Sequence, residues 1–489
     1  MSADQGPPFG ERLPDLLTPP PGPASQDLMR RLAAVETRNV TWQDPDGEAA
    51  WPVAWTEAKG ANVRDADGNV YLDLTAAFGV CLAGHRPPAV EAAIRDQASR
   101  LVHGMGDVHP PDAKVRLLET LADVLGWGDI RATLANTGSE AVEVALKTAQ
   151  LATTDTELPA GRPGIIAFEG GYHGLTLGAL APTHRSDFRA PFAERTWAGV
   201  AWAPYPGSPA DPDGSRALEL VEEWLERGIP SRTARSRDGD AGRGERAGTR
   251  DLDRIPVGAV IIEPVQARGG VRVLGGTAAP DVGRKLSDLV AASAAVLVAD
   301  EIFTGLGRCG AVLASARVGL CPDVIALGKV LGGGLPLSAC VGSAAVMDAW
   351  PRSTGEAIHT STFLGHPLAC AAGAAMLRHE VAPGLPDRAE HTGQRIRAAL
   401  GPILRERRRV GPLRGLGLLL GFDCLDENGA PESGGAVDVA ERLVRKGVLV
   451  LPAGPTGATL EITPPVTLTD AQIGFAAQAI AAVLDETGR

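Results

Sequence analysis

Three short runs of branched aliphatic residues, VGAVIIEPV, AVLVADEI and CPDVIALG, constrain this chain more than any other feature. Each is apolar at successive rather than alternate positions, so each needs burial on both faces, and each meets polar residues at or just beyond its carboxyl end. Between and around them lie helical patterns such as DAKVRLLETLADVLG and GSEAVEVALKTAQLAT. Buried strands alternating with helices call for a mostly parallel central sheet covered by helices. Ligands on such sheets collect outside the carboxyl ends of the strands. Glu263, Asp300 and Lys329 follow these three runs and are the first residues to question.

The remaining chain divides around that core. Residues 1–26 are too rich in proline for a stable helix and read as a flexible arm. Residues 27–84 are a small mixed segment with a helix and two short strands around an Asp-Gly turn. Residues 85–371 carry the large α/β domain, within which 231–250 is charged, nearly devoid of apolar residues and expected to be a mobile insertion. Residues 372–489 supply further helices and strands, the second part of a smaller α/β domain.

Composition excludes several function classes. A formal charge of −12, with no basic domain, argues against an extended nucleic-acid footprint. Apolar runs are interrupted too soon to span a membrane, and the first residues lack the basic-then-apolar pattern of a secretory signal. Cysteines 81, 309, 321, 340, 370 and 424 have no zinc-type spacing and read as small buried hydrophobes in a reducing compartment. The histidines form no cluster with metal-ligand spacing, so no metal is expected. GxSxG, the P-loop and the dinucleotide fingerprint are all missing. A soluble cytoplasmic protein is the expectation.

Four positions carry candidate chemistry, each with a plain structural reading beside it. Lys329, between VIALG and VLGGG, is a solvated loop residue, an anion contact, or an amine made nucleophilic by partial desolvation. Asp300, ending VLVAD, is a cap, an ion-pair partner of a core arginine, or the partner of a protonated heterocyclic nitrogen. Gly138 and Ser139, where a helix begins in NTGSEAVE, are an ordinary cap or a phosphate cup. Tyr172, followed by His173 in EGGYHG, fills a core edge or stacks on a flat ring. An imine-forming amine, a pyridinium partner, a phosphate cup and a ring face are the four needs of pyridoxal phosphate.

NTGSEAVE, GGYHG, IIEPVQARGG, VADEIFTGLGRCG, PDVIALGKVLGGGLPLSA and HTSTFLGHPLACAAG occur in this order, and the region from Thr56 to Thr487 resembles the class III, or omega-type, pyridoxal-phosphate aminotransferases of fold type I. The resemblance implies a large cofactor-binding domain and a smaller one formed by both chain ends. It implies that Lys329 carries the cofactor and later moves a proton, that Asp300 pairs with the pyridine nitrogen, and that Gly138 and Ser139 bind the phosphate. Tyr172 would lie against the ring beside His173, with Glu263 and Ile302 also in the cofactor site. Thr362 would reach the phosphate of a neighbouring subunit, which implies a homodimer or a higher oligomer. The substrates would be small amines and carbonyl compounds; neither nucleic acid nor membrane is implied as a partner.

One departure concerns the cofactor and two concern the substrate. Phe303 stands where many members have glutamine near the cofactor's phenolic oxygen. Members using glutamate or 4-aminobutyrate have a glutamate after EPVQ that pairs with an arginine near a late PP motif; here Arg268 and Glu461 occupy those places, with the charges exchanged. Whether the two pair is open, and the exchange points to a non-standard amine. Trp55, Phe78 and Val80 complete the expected substrate pocket. An epimerase or racemase, a decarboxylating aminotransferase, and a cofactor-binding scaffold without activity are the alternatives.

Overall fold

The computed structural model describes residues 7–42, 49–154, 163–231 and 254–489. These fall into two compact units, the larger made of Ala93–Leu306 and Ala311–Arg378, the smaller of Met1–Ala92, Gly307–Gly310 and His379–Arg489.

The larger unit is built on a seven-stranded sheet. In chain order its strands are β1 (Ile130–Ala135), β2 (Gly164–Phe168), β3 (Val200–Ala203), β4 (Val257–Ile262), β5 (Val296–Asp300), β6 (Val324–Leu327) and β7 (Ser338–Ser343). They lie side by side in the order β1-β7-β6-β5-β4-β2-β3. Every neighbouring pair from β6 to β3 is parallel, and β7 alone runs the other way, antiparallel to both β6 and β1. The runs singled out by composition are the three central strands, and β4, β5 and β6 are buried at every position. Helix Gly138–Thr154 covers one face, burying Ala141, Val142, Val144, Ala145 and Ala149 in a cluster with Ile261, Val298 and Ala326.

In the smaller unit the two ends of the chain share one sheet. Strands Trp55–Lys59, Asn62–Asp65 and Val70–Asp73 form an antiparallel meander, and Val448–Leu449 joins it parallel to Val70–Asp73. A second four-stranded sheet holds Arg414–Leu416, Leu419–Asp423, Thr459–Ile462 and Leu451–Ala453. The last helix, Asp470–Glu486, starts at a capping box in which Thr469 and Gln472 satisfy each other's backbone donors.

Several expectations change. From Pro7 the proline-rich opening is tied down rather than loose: Asp15 exchanges backbone hydrogen bonds with Val70, and the buried Asn62 and Asn69 side chains accept from the backbone N–H groups of Gly10, Arg12 and Thr18. Asn62 in the first sheet and Asn69 in the turn before Val70 thus satisfy backbone donors of the arm. The units divide at Ala92/Ala93 and Arg378/His379, with Gly307–Gly310 crossing into the smaller one, instead of at 84/85 and 371/372. Apart from Ser231, the insertion 231–250 lies outside the described residues. Cys309, Cys340, Cys370 and Cys424 are buried as expected of small hydrophobes, but Cys81 is half-buried and Cys321 exposed. No helix among the described residues is long and apolar enough to cross a membrane.

Candidate active site

The carboxyl ends of β4, β5 and β6 bring Glu263, Asp300 and Lys329 to one edge of the sheet. Asp300 is buried, and both of its oxygens are engaged: Oδ2 lies 2.8 Å from His173 Nδ1, and Oδ1 accepts the Ile302 N–H at 3.1 Å. A carboxylate gripped on both sides has one orientation left, which suits a fixed partner such as a pyridinium N–H. Burial draws the His173 imidazole toward its neutral form, and the hydrogen bond and charge of Asp300, with Glu263 behind it, reverse that and raise its pKa.

Glu263 accepts the Tyr172 N–H at 2.9 Å, and its own carbonyl accepts the Tyr205 hydroxyl at 2.9 Å. It thereby fixes the GGYHG loop over the strand ends. Burial pushes the Glu263 carboxyl up to about 7; the His173 charge opposes that, Asp300 adds to it, and Lys329 opposes it. Tyr172 lies within electrostatic reach of both acids and Lys329 of Glu263, so five of the expected site residues form one electrostatic group.

Lys329 follows Gly328 and takes a left-handed backbone, φ 43°. For a side chain with a Cβ this costs about 1 to 2 kcal/mol, and such strain persists only where the surroundings impose it. The glycines around it now have a reason. A Cβ on Gly328 would meet Ile302 Cδ1 at 3.0 Å, and a Cβ on Gly138 would meet Ile302 Cγ2 at 2.9 Å. Ile302 is therefore a ridge against which the lysine turn and the start of helix Gly138–Thr154 are both pressed. The Lys329 Nζ lies 4.5 Å from the centroid of the Phe303 ring, which gives the amine an aromatic face.

At the helix start, Glu140 accepts the backbone N–H groups of Asn136 and Thr137, and Ser139 Oγ accepts the Leu175 N–H at 3.3 Å. This seats the helix N-terminus against the loop that carries Tyr172 and His173, the arrangement an anionic phosphate requires. Tyr172 packs edge-on to Phe188 at 6.1 Å, and burial raises its phenol pKa against the opposing charges of Arg268 and Arg185. Among residues legible in the sequence, the structure thus brings together Gly138, Ser139, Tyr172, His173, Glu263, Asp300, Ile302 and Lys329, with Arg268 within electrostatic reach of Tyr172. These groups fit pyridoxal phosphate: a held carboxylate for the ring nitrogen, an amine for the aldehyde, and a helix start for the phosphate.

Thr362 is exposed, on a segment anchored to the helix start by the Asn136 side chain and Ser361 Oγ at 3.2 Å. Trp55, Phe78, Val80 and Glu461 belong to the smaller unit. Trp55 stands edge-on to His85, Phe78 is 61% exposed in a turn of left-handed residues, Val80 is half-buried, and Glu461 is buried within electrostatic reach of Arg308. Arg308 is the residue that sequence reasoning passed over. It is fully buried and donates to the carbonyls of Gly79, Leu418, Thr463 and Pro464, joining the Phe78 turn to the late PP motif. The GLGRCG motif displayed it, but four backbone acceptors leave no side-chain signature.

Residues 44–484 match the family model described as aminotransferase class-III. The chain is 32% identical over 469 residues to a 5-aminovalerate aminotransferase of Pseudomonas aeruginosa, covering 94% of this chain and 99% of the other. It is 33% identical over 437 residues to an acetylornithine aminotransferase of Mycolicibacterium smegmatis, covering 89% and 94%. Among solved structures, the ornithine aminotransferase of Toxoplasma gondii superposes with a TM-score of 0.76 at 28% identity, covering 95% of each chain. An amine transaminase from an uncultivated Pseudomonas species, in its pyridoxal-phosphate-bound form, does so with a TM-score of 0.76 at 26% identity, covering 92% of this chain and all of the other. The chain belongs to the class III aminotransferases, pyridoxal-phosphate enzymes of fold type I.

Proposed function

We propose that this aminotransferase takes its amino group from a donor other than the usual glutamate, passing it to a small keto or aldehyde acceptor. Pyridoxal phosphate, when bound, supplies an electrophilic aldehyde and a ring that delocalises a carbanion. Lys329 Nζ holds and moves the proton at the reacting carbon, its reach limited by the strained turn and by Phe303. Asp300, fixed by His173, holds the proton of the ring nitrogen, and Glu263 keeps Tyr172 over the site.

The donor reading rests on one observation: a cation, Arg268, stands within electrostatic reach of Tyr172, at the place where glutamate-using relatives carry an acid. Relatives named for 5-aminovalerate and acetylornithine suggest donors whose reacting amine lies far from their charged end. The test is a panel of 5-aminovalerate, acetylornithine, ornithine, glutamate and uncharged amines against pyruvate, 2-oxoglutarate and simple aldehydes, read by cofactor absorbance. Glutamate as the fastest donor defeats the proposal; deuterium uptake without a keto product would instead identify an epimerase.

The functional unit we propose is a homodimer in the cytoplasm. Leu101, Val102, Met105, Val108, Ile358 and Phe363 expose large apolar side chains on the larger unit, near the segment that carries Thr362. A second copy would cover them, and six free cysteines suit a reducing compartment. Sedimentation at micromolar concentration giving a monomer would remove the partner's Thr362 from the site.

A further inference from the structure

The segment that carries Thr362 is exposed, yet three consecutive side chains before it are each tied to a different part of the larger unit. His359 Nδ1 lies 2.9 Å from Lys147 Nζ on helix Gly138–Thr154, Thr360 Oγ1 donates to Asp107 Oδ2 at 2.8 Å, and the Asn136 side chain donates to Ser361 Oγ at 3.2 Å. The His359 ring also packs against Trp350, tilted by 59° at 6.0 Å, and the Trp350 N–H donates to Thr148 Oγ1 of the same helix at 2.8 Å. Thr362 is the next residue along, so these three ties set its place.

The tie through His359 is the one that mild acid can undo. A lysine ammonium has hydrogens to give and no lone pair, so Nδ1 of His359 is the acceptor, and the imidazole is neutral with its proton on Nε2. Burial favours that state and lowers the imidazole pKa; the Lys147 charge lowers it further, while Glu143 and Glu140 on the same helix oppose. Both acids are engaged by backbone donors, Glu143 by Gly178 N–H and Glu140 by Asn136 N–H. Trp350, also packed on the ring, carries no charge. A second proton on the ring would set an imidazolium against the ammonium 2.9 Å away and turn the tie into a repulsion. Asp107, by contrast, is held below the ordinary carboxylate range, first by its hydrogen bond from Thr360, so that tie outlasts the loss of the other.

We propose that His359 is a positioning residue: in its neutral form it latches the Thr362 segment to helix Gly138–Thr154, and on protonation it lets that segment go. This rests on the reading that Thr362 serves the cofactor phosphate of a neighbouring subunit, and the latch then makes retention of the cofactor weaken in acid. The sign follows from the lowered pKa: the tie is whole above 6.5 and is lost as pH falls below that value through the folded one.

Hydrogen exchange of residues 357–364 in the cofactor-loaded full chain, at about pH 7.5 and about pH 5.5, tests the latch against two variants. His359→Asn offers Lys147 an oxygen that accepts at either pH, so its segment stays held. Lys147→Met removes both the donor and the repulsion, so its segment is loose at either pH. Comparing chains at the same pH cancels the intrinsic pH dependence of exchange. The unaltered enzyme should match the asparagine variant at pH 7.5 and exchange about 5-fold faster than it at pH 5.5, where it matches the methionine variant. Release of pyridoxal phosphate on gel filtration should follow the same order. An unaltered enzyme that tracks one variant at both pH values overturns the latch, and either variant alone suffices to show this. Thr362→Ala separates the two ways of failing. Faster cofactor release from it, with exchange that ignores pH, means that the latch alone is wrong; cofactor retained as in the unaltered enzyme means that the positioning role falls with the reading beneath it.

Discussion

The two units each contain a buried histidine 2.8 Å from a buried aspartate, His173 with Asp300 in the larger and His85 with Asp73 in the smaller. Distance, burial and residue types match; the third group differs. Around His173 and Asp300 stand Lys329, Glu263 and an aromatic face, while around His85 and Asp73 stand a thiol, two threonine-anchored backbone donors and a buried arginine. In both, a carboxylate fixes an imidazole, and what the pair accomplishes depends on which end of it meets a ligand. Asp300 is held by the His173 imidazole and the Ile302 N–H, and the proposed function gives it a ring nitrogen to face, whereas Asp73 is closed off by three donors.

The largest effect that tests this contrast comes from removing the amine. Lys329→Ala should lower transamination by more than about 1000-fold, with the far-ultraviolet circular dichroism unchanged, if the lysine holds and moves the proton as we propose. Borohydride reduction followed by peptide mapping should label Lys329 in the unaltered enzyme. Normal turnover in the variant would sink the assignment.

The two aspartates should then separate by what their loss damages. Asp300→Asn should reduce turnover about 100-fold or more while the melting temperature moves little, since Asn still accepts from Ile302 N–H but no longer favours a protonated ring nitrogen. Asp73→Asn should instead cost about 3 to 5 kcal/mol of stability, because it leaves the His85 cation without its buried partner and loosens Thr75 and Ala77. Equal losses of turnover and stability in both variants would mean that the pairs play the same part.

How much of this was legible beforehand follows from the range of the interactions. The central strands announced themselves because burial on both faces leaves a continuous apolar run, and Asp300 and Lys329 stood out as charges at the ends of such runs. The partnership of His173 with Asp300 spans 127 positions, and spacing alone cannot select one carboxylate at that separation. Arg308 was hidden for a different reason: its acceptors are backbone carbonyls from three distant segments, which any residue could provide. The arm reads as flexible in sequence because its partners, Asn62 in the first sheet and Asn69 in the turn before Val70, lie outside the proline-rich stretch itself.

Acidity gives a finer way to tell the clusters apart. His85 is raised from 6.5 to about 10, so its pairing stabilises the smaller unit fully below pH 6.5, and that contribution fades as pH rises through about 10. The order of magnitude is a few kcal/mol. His85→Gln should therefore flatten the decline of the smaller unit's stability between neutral pH and about 10, measured by hydrogen exchange of Val70–Asp73 amides.

Glu263 runs with the opposite charge through a lower window. Its folded pKa is raised from 4.5 to about 7, so the fold binds a proton there that the unfolded chain has released. Stability of the cofactor-free larger unit should fall as pH climbs from about 4.5 to about 7, then level off, by roughly 3 kcal/mol. Glu263→Gln keeps the acceptor for Tyr172 N–H and removes the charge, so its curve should coincide with that of the unaltered enzyme near pH 4.5 and lie above it at pH 8. Because Lys329 opposes the shift and Asp300 adds to it, Lys329→Ala should carry the midpoint of the decline higher and Asp300→Asn lower. Midpoints that ignore both substitutions would place Glu263 outside the cluster and leave its grip on the Tyr172 loop as a matter of backbone support alone.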